Sequence, residues 1–228
     1  MTSSVTVSAV VVTWNSAERL PGLLESLAAQ AVDLELVQVD NASTDASLEQ
    51  GRRWTGPLRQ IRNDDNLGFA AGLALGVDEA SGEFILVVNA DVRWEADALA
   101  TLLKCLQADA GLGAAGPKLL GTDGRVQPTC ARQLPGLRSS ILHGLGLRRV
   151  VEGTALDPYT YRPKEYEIER DVPALSGAAM LIRREALERA GGVDTRWFMY
   201  LEDIDICARL ARAGYRLRFC PAAVARHE

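Results

Sequence analysis

Residues 84 to 91 read Phe84-Ile85-Leu86-Val87-Val88-Asn89-Ala90-Asp91. Five consecutive apolar residues that end abruptly in polar ones are typical of a strand buried on both faces of a parallel sheet. The carboxyl ends of such strands face the ligand crevice in open α/β sheets, so Asp91 is predicted to lie at a binding site. A carboxylate there suits a divalent cation that also binds phosphate. The other interpretation is an aspartate that only forms a turn.

The residues before this strand alternate β-branched runs with helical periods, which predicts a parallel sheet covered by helices. Further strands are predicted over 5–12, 34–39 and 58–61, and a glycine-rich helix start at 68–72. Asn15 and Glu18 have the spacing of a capping box for the first helix. The apolar stripe of that helix is predicted to comprise Leu20, Leu23, Leu24, Leu27 and Ala28.

Length and composition favour one globular domain over two small ones. The chain has 228 residues, of which 47% are hydrophobic and 24% charged, values that are ordinary for an α/β domain. The net charge of −5 argues against nucleic acid as a partner. No signal or transmembrane segment is expected. The cysteines lack a C-x-x-C pair and are predicted to be reduced, cytosolic and mostly buried: Cys105, Cys130, Cys207 and Cys220.

The pattern loosens after Asp91. A helix is predicted over 95–109, a strand over 114–120 and a hairpin turn over 121–124. No clear element is predicted from 130 to 171. This segment is interpreted either as an acceptor-side binding loop or as a solvated loop, and its aromatic and basic residues are Arg132, Arg138, Arg148, Arg149, Tyr159, Tyr161, Arg162 and Tyr166.

Regular patterns return in the last quarter. The small residues over 174–182 suggest a backbone that another chain segment or a ligand approaches closely. Helices are predicted over 184–190, ending at Gly191, and over 202–213. The last helix opens with three carboxylates, which complement the helix dipole. The apolar residues 197–201 just before it would also desolvate a carboxylate, and desolvation raises a carboxyl pKa toward the range of a general base. Those carboxylates are Glu202, Asp203 and Asp205.

The sequence lacks the glycine-rich loops that commonly bind phosphate, so a phosphate group must be bound in another way. Neither Gly-x-Gly-x-x-Gly nor a P-loop lysine follows the first strand. In an acidic chain, a diphosphate is then best held through a divalent cation on one or two carboxylates.

Several motifs, in order, carry a resemblance to the family-2 inverting glycosyltransferases, which have the GT-A fold: residues 12–15, 39–45, 66–72 and 89–91. The segments 176–184, 191–194 and 198–205 are similar to the rhamnosyltransferase branch, especially the cell-wall type that acts on a lipid-linked sugar. The resemblance implies an α/β fold with a Rossmann-like, mostly parallel sheet, helices on both faces and a smaller mixed acceptor-side region. It implies a single domain, 1–228, with a nucleotide-sugar half, 1–112, and an acceptor and catalytic half, 113–228.

The same resemblance implies residue roles. Asp203 matches the catalytic base, with Glu202 as its catalytic neighbour. A divalent cation, Mn²⁺ or Mg²⁺, is expected on Asp91 and His227. The implied donor-binding residues are Thr13, Asn15, Asp40, Asn66, Gly68, Asn89, Ala90 and Asp91. The implied acceptor-side residues are Ser176, Gly177, Trp197, Tyr200 and Asp205.

The implied reaction is the transfer of L-rhamnose from dTDP-rhamnose to a hydroxyl of a glycan or lipid-linked glycan, in cell-wall or surface polysaccharide synthesis. The expected location is the cytoplasm, with peripheral association at the inner face of the membrane. Three alternatives stay open: a UDP-sugar donor, a protein that binds sugar nucleotides without transfer, and a nucleotidyltransferase. Asn89, where the family has a carboxylate, favours the second. The third expects a basic, glycine-rich loop after the first strand, which this chain lacks.

Overall fold

The computed structural model describes residues 6–134, 136, 157 and 159–228. Within these ranges the α-helices are α1 (Leu20–Ala28), α2 (Ser47–Gly51), α3 (Phe69–Glu79), α4 (Ala98–Ala108), α5 (Arg184–Arg189) and α6 (Glu202–Arg212). The strands are β1 (Val7–Thr13), β2 (Leu34–Asn41), β3 (Leu58–Asn63), β4 (Phe84–Val88), β5 (Val92–Trp94), β6 (Leu112–Leu120), β7 (Ala131–Arg132), β8 (Arg170–Asp171), β9 (Ala174–Leu175), β10 (Ala179–Arg183) and β11 (Arg216–His227). Short 3₁₀ helices span Pro128–Cys130 and Pro163–Glu167.

Nine of these strands form one sheet in the order β3-β2-β1-β4-β10-β6-β11-β5, with β8 attached to β11. β1 runs parallel to β2 and β4, and β2 runs parallel to β3. β10 lies antiparallel between β4 and β6. The other two strands, β7 and β9, form a separate antiparallel ladder. The predicted parallel sheet is therefore present in the first half of the chain, and strands from the second half extend it.

The centre of the sheet is apolar on both faces. All five residues of β4 are buried, as predicted for a strand covered on two sides. Helix α3 packs on β1 and β2, and α4 packs on β6 and β11. The predicted α/β architecture, a large sheet flanked by helices, is confirmed.

The predicted start of the first helix is wrong. Helix α1 begins at Leu20, with Arg19 at the N-cap and a proline in the first turn, a position that proline favours. Asn15 does not cap this helix, because its Oδ1 accepts hydrogen bonds from the backbone N and hydroxyl of Thr44. The amide is thus bound by the loop after β2.

The predicted apolar stripe of α1 is correct for its four leucines, which are buried, and wrong for Ala28, which is exposed. At 3.6 residues per turn, Ala28 is rotated by about 80° from Leu20. It therefore lies at the edge of the stripe, in the last turn of the helix.

Two features of the strands were not predicted. Residues 174–182 contribute to two separate strands, because Leu175 pairs with Ala131 whereas Ala179–Arg183 joins the main sheet. The twelve-residue strand β11 was not predicted. Its sequence contains Pro221, and its register against β6 shifts between Cys220 and Val224, an irregularity that hides the alternation of side chains.

The predicted hairpin turn and the predicted burial of most cysteines are confirmed. The turn at 121–124 is closed by a hydrogen bond from Gly124 N to Gly121 O, and Leu120 bridges Val126 in antiparallel fashion. All four cysteines are free thiols, of which three are buried, and the Sγ atoms of Cys105 and Cys220 lie 3.1 Å apart.

Of the predicted binding loop, Arg138, Arg148 and Arg149 lie outside the described residues. None of the helices in the described part of the chain is long and apolar enough to cross a bilayer.

Glu35, at the amino end of β2, is a buried carboxylate whose hydrogen bonds connect β2 with β1 and with the loop after α3. Its Oε1 accepts hydrogen bonds from the Ser8 hydroxyl and from both the backbone N and the hydroxyl of Ser81. Burial alone would raise the pKa of Glu35, but these hydrogen bonds outweigh it and hold the pKa below its ordinary value.

We predict that Glu35→Gln lowers the free energy of unfolding by about 1.5–3 kcal/mol at pH 7, since hydrogen bonds to a charged group are lost. A lowered pKa in the folded state stabilises the protein above the ordinary glutamate pKa of about 4.3, and this contribution disappears as the pH falls through the folded-state value. Urea unfolding from pH 7 to pH 3 should therefore show the difference between wild type and variant shrinking at acid pH.

The matched control is Glu25→Gln, at an exposed position of α1, which should change stability by less than about 0.5 kcal/mol at any pH. A Glu35→Gln effect that stays constant down to pH 3 would contradict the ionised, hydrogen-bonded state of Glu35.

Candidate active site

Two adjoining cavities open beside the carboxyl end of β4. The Asp91 cavity, about 210 Å³, is lined by Asp91 and by Val12, Trp14, Ser16, Arg19, Asn41, Asn66 and Ala90. The Asp203 cavity, about 540 Å³, is lined by Asp203 and by Thr129, Arg132, Tyr159, Ser176, Gly177, Ala178, Tyr200, Leu201, Glu202, Ile204 and His227. Phe69, Asn89 and Met199 line both. The polar tip of β4 and the carboxylates of α6 therefore border one continuous cleft.

Asp91 and His227 meet across this cleft. His227 ends β11 and pairs with Val92, so its Nε2 lies 3.4 Å from Asp91 Oδ1. Its Nδ1 lies 2.8 Å from Gln127 Oε1, while Gln127 Nε2 donates to the His227 carbonyl. Because these two contacts fix the Gln127 amide, Nδ1 carries the proton in the neutral ring, and Nε2 presents a lone pair toward Asp91.

The Asp91–His227 pair fits a divalent cation. Asp91 Oδ1 is buried and accepts no hydrogen bond from the described residues. Burial alone would raise the pKa of Asp91, but interaction with the His227 ring in its protonated form, 3.4 Å away, outweighs burial and lowers the pKa. A carboxylate and a neutral imidazole with facing lone pairs suit Mn²⁺ better than Mg²⁺. No cluster of three metal-ligating side chains occurs in the described ranges, so diphosphate and water would supply the other ligands.

Asp203 is held in place at the start of α6. Its Oδ2 accepts hydrogen bonds from Arg132 Nη2 at 2.7 Å and from Gly177 N at 3.1 Å, and its Oδ1 accepts one from Ile204 N at 2.7 Å. The last contact satisfies an amide that the first turn of a helix leaves unpaired. A Cβ on Gly177 would lie 3.0 Å from Asp203 Cβ, so the glycine permits this close approach.

Glu202 differs from its neighbour. Its Oε2 is buried and has no hydrogen-bond partner among the described residues, and burial raises its pKa. This is the effect that the sequence predicts for a carboxylate beside residues 197–201. Those residues do not form a buried wall, however, because Phe198, Met199, Tyr200 and Leu201 are all exposed. They form the rim of the cleft.

A backbone contact attaches this rim to the first half of the chain. Phe69 N, at the start of α3, donates to Phe198 O at 2.7 Å. Gly68 has a φ of +86°, and its carbonyl accepts a hydrogen bond from Asn41 Nδ2. The close approach of the rim depends on glycine, because a Cβ on Gly68 would lie 2.4 Å from Phe198 O.

Most of the predicted site residues border the cleft. Asn66, Asn89, Ala90 and Asp91 line the Asp91 cavity, and Ser176, Gly177, Tyr200, Glu202, Asp203 and His227 line the Asp203 cavity. Trp197 and Asp205 do not line either cavity. Asp205 instead lies 3.5 Å from Arg209 in an ion pair along α6.

Thr13, Asn15 and Asp40 do not line either cavity. Thr13 and Asp40 are buried, with the Thr13 hydroxyl donating to Asp40 Oδ1 and Ser43 N donating to Asp40 Oδ2. Their donor-binding role stays a prediction. An adjacent residue reaches the cleft instead, since Trp14 is 56% exposed and lines the Asp91 cavity.

Sequence reasoning missed several residues of the cleft. Arg19, Asn41, Phe69 and Met199 lie within or next to recognisable motifs, but nothing in their spacing distinguishes wall residues from neighbours. Arg132 is among the basic residues of the segment interpreted as an acceptor-side loop, but its contact with Asp203 was not predicted, because it depends on the pairing of β7 with β9.

Matches to models of protein families identify the family of this chain. A model of glycosyl transferase family 2 matches residues 8–191, and a model of glycosyl transferase family group 2 matches residues 165–228. The chain therefore belongs to glycosyl transferase family 2, and the resemblance carried by its motifs is confirmed.

Two individual relatives show which branch of the family the chain resembles. The chain is 31% identical over 233 residues to N-acetylglucosaminyl-diphospho-decaprenol L-rhamnosyltransferase of Mycobacterium tuberculosis, covering 96% of this chain and 74% of the relative. It is 48% identical over 52 residues to rhamnosyltransferase WbbL of Escherichia coli K12, covering 23% of this chain and 20% of the relative. These relatives confirm the likeness to the rhamnosyltransferase branch.

A solved structure confirms the fold. The mannosyltransferase PcManGT from Pyrobaculum calidifontis, in complex with GDP-Man and Mn²⁺, matches with a TM-score of 0.67 and 26% identity. The match covers 97% of this chain, which spans 56% of that protein. The GT-A fold implied by the motifs is thus the fold of this chain.

We predict that Gly68→Ala lowers the free energy of unfolding by about 1–3 kcal/mol more than Gly124→Ala does, because it adds a steric clash to the strain of a positive φ. Gly124 is the matched control, since it has a φ of +75° but no atom within 4 Å of the position that a Cβ would occupy. The measurement is urea unfolding of both variants. Equal losses would mean that residues 197–201 do not press against Gly68.

Proposed function

We propose that this glycosyltransferase moves L-rhamnose from dTDP-rhamnose, with inversion at the anomeric carbon, onto a hydroxyl of a glycan or lipid-linked glycan in cell-wall or surface polysaccharide synthesis. The observation that carries the proposal is the continuity of the two cavities at Asn89, which lines both. A leaving group beside Asp91 and an incoming alcohol beside Asp203 would then meet in one cleft.

Transfer requires one proton acceptor and one departing diphosphate. Asp203 takes the proton of the acceptor hydroxyl as the oxygen attacks the anomeric carbon. The bond from that carbon to the diphosphate breaks on the opposite face, and its electron pair leaves with dTDP. Because the cleft holds both substrates side by side, the encounter becomes effectively unimolecular. Glu202, whose buried Oε2 has no hydrogen-bond partner among the described residues, would orient the acceptor.

Asp91 and His227 are the residues that would hold Mn²⁺ or Mg²⁺, and the cation would stabilise negative charge on the departing diphosphate. Gln127 Oε1 contacts Nδ1 of the His227 ring. A partner on this nitrogen fixes the orientation of the ring and therefore of Nε2. Arg19 adds positive charge on the same side, since it lines the Asp91 cavity and helps to lower the pKa of Asp91.

The relatives support the choice of donor and acceptor class. Two are named rhamnosyltransferases, and one name specifies a decaprenol-linked diphosphate sugar as the acceptor. On the same basis we propose a cytoplasmic location at the inner face of the membrane. We retain the division into a donor half, residues 1–112, and an acceptor half, residues 113–228, as part of the proposal.

A panel of dTDP- and UDP-sugars, with nucleoside diphosphate release as readout, tests the donor. We expect dTDP-rhamnose to give the highest kcat/KM. We expect Asp203→Asn to lower kcat by about 10²–10⁴-fold, as loss of a general base does, with little change in donor affinity. Asp205→Asn is the matched control, because Asp205 opens the same helix without lining the cleft. Turnover by Asp203→Asn equal to that of Asp205→Asn would exclude Asp203 as the base.

Metal dependence is tested separately. We expect chelation to abolish transfer and Mn²⁺ to restore it in the wild type. Asp91→Ala should weaken Mn²⁺-dependent dTDP binding, measured by calorimetry, by at least about tenfold. Asp123→Ala, at an exposed turn, is the control. Donor binding that is indifferent both to chelator and to Asp91→Ala would contradict the proposed metal site.

A further inference from the structure

Arg132 is a buried cation that neither the motifs nor the family resemblance singled out as a site residue. It lies in the two-residue strand β7, and only 8% of its side chain is exposed. Its Nη2 donates to Asp203 Oδ2 at 2.7 Å, and its Nη1 donates to Thr129 O at 2.9 Å. The guanidinium also lies over the Tyr159 ring, 5.9 Å from its centroid. The side chain is therefore fixed from three directions at the wall of the Asp203 cavity.

The contact with Asp203 affects the pKa of Arg132 and fixes the orientation of the Asp203 carboxylate. Burial alone would lower the pKa of Arg132, but the charge of Asp203 outweighs burial and raises it. With Arg132 and Gly177 N both on Oδ2 and Ile204 N on Oδ1, three donors fix the Asp203 carboxylate. Each carboxylate oxygen has two lone pairs, so one lone pair on Oδ1 stays free of the described donors.

Stability alone is a weak reason for this arrangement. A buried ion pair contributes little compared with well-packed apolar residues of the same volume. The neighbouring Glu202 shows the alternative environment, because its buried Oε2 has no partner in the described part of the chain and its pKa is raised. The cavity therefore contains one carboxylate matched by a cation and one that no described cation contacts.

We propose that Arg132 is a positioning residue for the transfer reaction: it holds the Asp203 carboxylate in the orientation in which the free lone pair on Oδ1 can accept the proton of the acceptor hydroxyl. This inference rests on the proposed function, in which Asp203 is the base. The charged and titratable groups that share the cavity or act on Asp203 are Arg132, Tyr159, Tyr200, Glu202, Cys207 and His227. Arg132 is the one that contacts the Asp203 carboxylate as a cation.

Two substitutions separate charge from geometry. Arg132→Gln removes the cation, so we expect kcat to fall by about 10–100-fold and the acid limb of the kcat–pH profile to move to higher pH, because the protonated carboxyl is favoured without the neighbouring charge. Arg132→Lys keeps the charge but loses the planar guanidinium, so kcat should fall while the acid limb stays in place. The KM for the donor should not change in either variant.

The matched control is Arg183→Gln. Arg183 is also mostly buried, with 15% of its side chain exposed, and it donates to the carbonyls of Leu106 and Leu112 away from the cleft. The Arg183→Gln variant should be less stable than the wild type, but the acid limb of its kcat–pH profile should not move. An Arg132→Gln enzyme with wild-type kcat and an unmoved acid limb would overturn the proposal.

A double-mutant cycle with Arg132→Gln and Asp203→Asn in urea unfolding tests the ion pair without turnover. We expect the two substitutions to be non-additive, and strict additivity would overturn the inference even in an active enzyme. Failure of the proposed function would give a different result. The wild-type protein would release no nucleoside diphosphate with any donor and acceptor, but the two substitutions would still be non-additive in unfolding.

Discussion

The pairing of β10 with β4 is the constraint on which the cleft depends. β10 comes from the second half of the chain and inserts antiparallel beside the central parallel strand, with Ala179 opposite Val88. The ladder continues one step further, because Asn89 N donates to Ala178 O at 3.0 Å. The turn at 176–178 therefore lies directly beside the polar tip of β4. Since Gly177 N in turn binds Asp203, one ladder connects the strand that ends near Asp91 to the helix that presents the candidate base.

A second connection closes the cleft from the other side. β11 runs parallel to β6 and antiparallel to β5, which brings His227 beside Asp91 although the two residues are far apart in the chain. The rim at 197–201 is attached to the start of α3 by a backbone hydrogen bond from Phe69 to Phe198, and its apolar side chains are exposed. Rigid strands thus position the ionisable groups, while an exposed apolar segment borders the opening, a common division in binding sites. The strands therefore fix the positions of the charged groups, and the apolar rim forms the edge of the opening.

The electrostatics of the cleft follow from burial and pairing. Asp91, Glu202 and Asp203 are all partly buried carboxylates, yet they have different partners: an imidazole, no described partner, and a guanidinium. Differences of this kind allow similar side chains to take different roles within one site. In a chain with a net charge of −5, the local cations Arg19 and Arg132 offset negative charge where anionic groups would gather. Local pairing, and not the overall charge, therefore governs what this cleft can bind.

The sequence by itself determined the α/β class, the buried strand before Asp91, the helix that opens with Glu202 and Asp203, and the family, because these features rest on local periodicity and short contiguous motifs. It did not determine the start of α1, the break between β9 and β10 or the existence of β11, since those depend on which distant segment competes for a hydrogen bond or a sheet edge. Asn15 is bound by Thr44, and Arg132 reaches Asp203 only through β7–β9 pairing. Contacts across 71 positions, such as that ion pair, leave no periodic trace in the chain, so only the tertiary structure could decide them.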